Sequence, residues 1–283
     1  MMRILLVGGT SALGQVLRSV LAQFSEVITA GRKGCDVEID LMWPSEKILL
    51  PTDIDIVINV AAHFGGDSFD AMHTSEMVNA VGAMKLCNAS AKISAKHFIH
   101  ISSMNALLDS SSEYFGAYSI SKRHADDLVQ FRCSKAKLPY IILRPSQIYG
   151  DQDDFKKHQF LLYHCVDKAI QNEDITIYGN RNPMRNFLHI EDLCKLISAV
   201  ATERIEGIYS CQNPKDSSFL DVADAAIRAA GASSCVIFDG EKKDIPDNVF
   251  VYDDALYKLL GIYPGIDIEE GIARLVISKM GRA

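Results

Sequence analysis

The sequence predicts an α/β protein built on a doubly wound parallel sheet. Short apolar runs rich in β-branched residues recur through the first half, at residues 3–7, 26–30, 54–60, 96–101 and 139–143. Helical patterns separate them, which is the arrangement of βαβ units. The first run passes into a helix through a turn of small residues, Gly8-Gly9-Thr10-Ser11-Ala12-Leu13-Gly14.

Composition sets the outer bounds. The chain has 283 residues, enough for one large domain or one domain with a small cap. With 48% hydrophobic and 23% charged residues it reads as an ordinary globular protein. A net charge of −7 with no basic run argues against nucleic acid as a partner. No apolar run reaches the ~18 residues of a membrane span, and the first residues do not resemble a secretion signal. The seven cysteines form no Cys-x-x-Cys pair. That odd, scattered set predicts reduced thiols and a cytoplasmic location. No metal-ligand spacing links the histidines and cysteines, so no metal is expected.

Residues 3–7 form the first strand and residues 15–21 the first helix. The turn between them points backbone N–H groups and the positive helix end at one spot, which suits a pyrophosphate. Residues 26–30 form the second strand, and Arg32 and Lys33 follow it. In a dinucleotide fold this is the place of the adenosine ribose. An acid there would bind a free 2′-hydroxyl, whereas an arginine suits a 2′-phosphate, so Arg32 points to NADP over NAD. Residues 37–41 read as a third short strand, and a short helix is expected between Pro44 and Pro51. The strands at 54–60, 96–101 and 139–143 end at Ala61-Ala62, Ser102-Ser103 and Arg144-Pro145. Ligands in such sheets lie beyond the carboxyl ends of the strands, where these residues fall.

Tyr118 and Lys122 in Gly116-Ala117-Tyr118-Ser119-Ile120-Ser121-Lys122 lie one helical turn apart, on one face. A phenol with a reference pKa of about 10 is a poor acid, but a neighbouring cation favours its phenolate. The pair can therefore exchange a proton with a carbonyl or an alcohol.

In the second half, 151–157 is a polar loop and 158–171 a helix. A strand at 175–178 follows, then helices at 193–201, 219–230 and 256–260. His158 and His164 follow Tyr149-Gly150. His63, His97 and His100 fall at or near strand ends as packing or solvent-facing residues. Cys165, Cys194 and Cys211 lie in apolar patterns as small core residues.

The motifs, in order, resemble the extended short-chain dehydrogenase/reductase family, the nucleotide-sugar epimerase, dehydratase and ketoreductase group. Gly8 and Gly14 match its glycine turn. Asp40-Leu41 matches the adenine-contacting pair, Asn59-Val60-Ala61-Ala62 the strand-four motif, and Asn79 an asparagine in the next helix. Ser102-Ser103, Tyr118-x-x-x-Lys122, Leu143-Arg144-Pro145 and Ile148-Tyr149-Gly150 follow in place. Arg185-Asn186-Phe187-Leu188-His189-Ile190, Leu260-Gly261-Ile262-Tyr263-Pro264 and Glu269-Glu270-Gly271-Ile272 match the later segments.

The resemblance implies a Rossmann-type domain over residues 1–150, with a return around 186–211. Residues 151–283 would be mainly a small α/β substrate cap, with the active site in the cleft between them. It implies Tyr118 as acid or base on the substrate oxygen, and Lys122 as the cation that lowers its pKa and holds the nicotinamide ribose. Ser103 would donate to the same oxygen. Thr10, Ser11, Ala12, Leu13, Ala61, Ala62, Asn79 and Pro145 would line the cofactor with Gly8 and Gly14. Arg185 would grip a substrate diphosphate, and His158 could act as a second acid at the substrate. The helices around 78–92 and 118–132 pack a dimer in many relatives, which implies a homodimer.

Departures narrow this reading. The middle glycine of the turn is Ser11, whose side chain must fit beside a pyrophosphate. Met104-Asn105 stands where sugar dehydratases of the family often carry Asp-Glu, which disfavours a dehydratase. Arg181 and Pro183 replace the usual Gly and Gln before Arg185. The expected function is an NADP-dependent 4-keto-sugar reductase acting on a nucleotide-sugar. The alternatives are an epimerase with tightly bound NAD, or an NADP-binding sensor or assembly protein without turnover.

Overall fold

The computed structural model describes residues 1–281. The chain runs β1 (Met2–Val7), α1 (Ala12–Leu21), β2 (Ser25–Gly31), β3 (Val37–Glu38) and β4 (Ile56–Asn59). Then come α2 (Phe69–Ser75), a π-helical stretch (Glu76–Val81), α3 (Gly82–Lys92), β5 (His97–Ile101), α4 (Ala117–Ala136) and β6 (Tyr140–Pro145). The rest is β7 (Gln147–Tyr149), α5 (Phe160–Ile170), β8 (Ile175–Tyr178), β9 (Met184–Arg185), β10 (Phe187–His189), α6 (Ile190–Glu203) and β11 (Gly207–Cys211). β12 (Ser217–Ser218), α7 (Phe219–Ala230), β13 (Val236–Asp239), α8 (Ala255–Leu260) and α9 (Ile268–Met280) complete it.

The chain divides into two compact units. The first comprises Met1–Pro145, Cys194–Cys211 and Asp254–Leu260. It holds a seven-stranded sheet in the order β11-β6-β5-β4-β1-β2-β3, with every pair parallel. This is the doubly wound Rossmann-type sheet. Side chains alternate across it, and both sets are buried. Leu5, Val57, Phe98 and Ile142 pack in one core with Leu86 and Cys87 of α3 and Val129 and Cys133 of α4. Ile4, Leu6, Ile56, Ile58 and Ile99 are equally excluded from water. A strand buried on both faces has to be apolar throughout, which is why these runs read as continuous rather than alternating.

Two local features differ from the sequence reading. The third strand is only Val37–Glu38, because Asp40 folds back to accept the Met42 amide at 2.9 Å. No crossover helix joins β2 to β3, and the segment between Pro44 and Pro51 holds a single 3₁₀ turn, Ser45–Lys47. His97 and His100 are fully buried within β5, which is the packing alternative of the sequence reading.

The second unit comprises Ser146–Leu193, Gln212–Asp253 and Gly261–Ala283. Its helices α5, α7 and α9 pack together beside two-stranded sheets pairing β13 with β8, β12 with β9 and β10 with β7. Ser218 and Asp221 form a reciprocal capping box that starts α7. α9, which the C-terminal motif marked without showing its length, starts on the Asp267 side chain. None of the seven cysteines is in a disulfide, and five of them are buried. No helix among the described residues is long and apolar enough to cross a membrane.

Candidate active site

β1 delivers the glycine turn at the carboxyl edge of the sheet. Gly8 has φ +90°, and a Cβ there would stand 2.8 Å from the Ala61 nitrogen. Only glycine allows that crossing between the end of β1 and the chain after β4. Gly14 is under still tighter constraint, since its Cβ would meet the Gly8 carbonyl oxygen at 2.3 Å. The Ser11 hydroxyl turns inward, accepts the Gly14 amide at 3.0 Å and caps α1. Ser11 is thus accommodated as a helix cap. Ala12 and Leu13, the first residues of α1, have amides with no acceptor inside the helix, as at any helix start. A crossing of bare backbone below a helix N-terminus fits a dinucleotide pyrophosphate.

Beyond β2, Arg32 and Lys33 are exposed and line a pocket of ≈ 390 Å³ with Thr10. The loop that carries them is tied back where Asp36 accepts both the amide of Thr29, at 2.8 Å, and its hydroxyl, at 2.7 Å. Those bonds hold the Asp36 carboxyl below its ordinary pKa. With no crossover helix here, a groove of ≈ 520 Å³ stays open along α1, lined by Gln15, Arg18 and Thr29. Leu41 is buried, and its carbonyl accepts Lys85 Nζ at 3.1 Å.

β4 and β5 end side by side. The Asn59 side-chain Oδ1 accepts the Ala61 backbone amide at 3.2 Å, so its Nδ2 donates to His100 Nδ1 at 3.2 Å. Asn79 sits in the π-helical stretch and clamps His63 from both sides, at 2.8 and 2.7 Å, while its amide also reaches the Ser121 hydroxyl at 2.9 Å. Asn79 thus joins the loop after Ala61-Ala62 to α4. Pro145 closes β6, where it pairs with Cys211 of β11.

α4 starts where the Ser119 hydroxyl closes on Gly116, accepting its amide at 2.9 Å and donating to its carbonyl at 2.8 Å. This fixes the first turn and places Tyr118 and Lys122 beside Ser103. The Ser103 hydroxyl accepts the Asn105 amide at 3.2 Å and also lies in hydrogen-bonding range of the Tyr118 phenol. Lys122 Nζ donates to the Ile101 carbonyl at 2.9 Å and lies 5.9 Å from the centre of the Tyr118 ring.

The electrostatics differ from the expectation that Lys122 lowers the Tyr118 pKa. Burial pushes the phenol up to about 12, against the pull of Ser103 and with a further push from Asp126. The Lys122 ammonium is committed to Ile101, and burial pushes it down to about 8 while Asp126 opposes. The trio is therefore set to hold a proton on the tyrosine. Asp126 was not singled out in the sequence, although it lies one further turn along the Tyr118–Lys122 face. It is buried and accepts Arg144 Nε at 2.7 Å.

In the second unit, Arg185 is 5% exposed rather than solvated. Its Nη1 donates to the carbonyls of Met184, at 2.8 Å, and Pro246, at 2.7 Å, and the guanidinium lies 5.3 Å over the Phe219 ring. Burial and the Lys157 charge push the His158 imidazole down to about 4, so it is neutral at neutral pH. Among the described residues, no group of three His, Cys, Asp or Glu side chains is placed to hold a metal ion.

The profile of the NAD dependent epimerase/dehydratase family matches residues 4–211. The chain belongs to this family. Family relatives include the low-salt glycan biosynthesis protein Agl12 of Haloferax volcanii, 24% identical over 82% of this chain and 77% of that protein. The dTDP-D-glucose 4,6-dehydratase of Mus musculus is 27% identical over 86% of this chain and 71% of its own length. Against other curated relatives the matched stretch spans about half of their length, 52% and 45%. Among solved structures, UDP-glucose 4-epimerase of Thermotoga maritima superposes with a TM-score of 0.84 at 18% identity, covering 99% of both chains. RMD of Pseudomonas aeruginosa, complexed with NADPH, does so with a TM-score of 0.81 at 15% identity over the full length of both. These likenesses establish the epimerase/dehydratase fold.

Proposed function

We propose that this chain is an NADPH-dependent reductase of a 4-keto sugar carried on a nucleotide. The observation that carries the choice is the end of β2. Gly31 is followed by exposed Arg32 and Lys33 around a pocket shared with Thr10, and no carboxylate lines that pocket. Two cations there suit a 2′-phosphate, and net reduction draws on NADPH. The dehydratase reading is weakened by Met104, which is buried, and by Asn105, whose amide cannot carry a proton to a leaving hydroxide.

A bound nicotinamide supplies the hydride. Tyr118 holds the proton that the substrate oxygen takes, and Ser103 donates to the same oxygen as charge grows on it. Lys122, which gives up its proton more readily than a surface lysine, would hold the cofactor's ribose and resupply the phenol with a proton. Arg185 is the proposed contact of the substrate diphosphate, held in place by Met184 and Pro246. A homodimer across α3 and α4 and a cytoplasmic location complete the reading, the latter supported by the free thiols.

The test is denaturing extraction of the purified protein, with the released nucleotide identified, followed by titration with NADPH and NADH. No retained nucleotide and a clear preference for NADPH support the reductase. Tightly retained NAD supports a nucleotide-sugar epimerase instead. Binding of neither removes the cofactor site.

A further inference from the structure

Phe64 lies flat on Tyr118. The ring centroids are 5.3 Å apart and the planes 13° from parallel. The loop that carries Phe64 is tied at its base. Asn79 clamps His63, and His63 Nδ1 meets the Ser75 hydroxyl at 2.9 Å and accepts the Gly65 amide at 3.3 Å. Asn79 also reaches Ser121, whose hydroxyl donates to the Tyr118 carbonyl at 3.0 Å. Loop and phenol are thus fastened to one another through the backbone of α4. The tip is fitted just as closely: Gly65 has φ +86°, and a Cβ there would stand 3.1 Å from the Tyr118 nitrogen. Phe64 as a residue is 53% exposed, so ordinary core burial does not account for its place.

We infer that Phe64 is a positioning residue for Tyr118: its ring closes one face of the phenol to water and holds the hydroxyl towards Ser103. The charged and polar groups facing Tyr118 are Ser103, after β5, and Lys122 and Asp126, on α4. Phe64 carries no charge, so it acts by excluding water from an acid that burial already holds protonated. The inference rests on Tyr118 being the proton-carrying group, but its test does not need turnover.

The experiment is a pH titration of the full chain labelled with ¹³C at the tyrosine ζ carbon, with Tyr118→Phe used to assign the signal. In the parent protein the expected result is a Tyr118 midpoint near 12, above the ordinary tyrosine value of 10.0. In Phe64→Ala the midpoint falls by about one pH unit or more, and Phe64→Leu retains most of the parent value. Phe64→Val, apolar but too small to cover the ring, follows Phe64→Ala and replaces it should the alanine variant not fold. An unchanged Tyr118 midpoint in the folded alanine or valine variant overturns the inference. Turnover of Tyr118→Phe is measured separately and decides only whether Tyr118 is the reacting acid.

Discussion

The Ser11 hydroxyl accepts the Gly14 amide at 3.0 Å, directly above the point where Gly14 passes the Gly8 carbonyl. A serine in the middle of a glycine turn thus works as the cap of α1. Ser11→Ala is expected to cost about 1 kcal/mol of stability, and Ser11→Gly only a few tenths. Denaturant unfolding measures both. Equal losses in the two variants would show that the cap is not the source of the effect.

Tyr118→Phe removes the hydroxyl and leaves the ring against Phe64. Turnover is expected to fall by about 10²-fold to 10⁴-fold, the usual worth of a positioned acid, with cofactor affinity retained. Near-normal turnover of a 4-keto-sugar substrate would falsify the role given to Tyr118.

Arg32→Glu places a carboxylate beside Thr10 and Lys33 in the pocket beyond β2. Loss of one charge-assisted contact is worth about 1.5–3 kcal/mol, so NADPH affinity should drop by roughly 10-fold to 100-fold. NADH affinity should hold or rise. Equal weakening of both would place Arg32 away from the 2′-phosphate.

Burial sets the sign of a pH effect at Lys122. Its pKa is about 8 in the fold against 10.5 for the ordinary side chain. Between those values the unfolded chain binds more protons than the folded one, so stability contributed here rises with pH. Below about 8 the full cost of the buried ammonium applies, on the order of 3 kcal/mol. Lys122→Met should therefore be more stable than the parent at neutral pH, and the gap should narrow as pH climbs to 10.5. A gap that stays constant across that range would mean that Lys122 keeps its ordinary pKa in the fold.

Most of the first unit was legible in the chain. Strands buried on both faces must be apolar throughout, so β1, β4 and β5 stand out as runs. Gly8, Gly14, Tyr118 and Lys122 stood out because turn geometry and helical spacing favour those residue types at those intervals, whereas Ser103 was marked only by the family resemblance. The brevity of β3 was not visible, since it depends on Asp40 turning back to the Met42 amide. Nor was Phe64, which is 54 positions from Tyr118 in the chain and meets it only through the clamp of Asn79 on His63.

By itself the sequence determined the parallel sheet, because strands buried on both faces must be apolar throughout, and it marked the glycine turn, Tyr118 and Lys122 as candidates. Only the tertiary structure decided their charge states. Burial, a quantity no local pattern contains, drives the Tyr118 phenol up and the Lys122 ammonium down, and the fold brings the buried Asp126 onto the partly exposed Arg144.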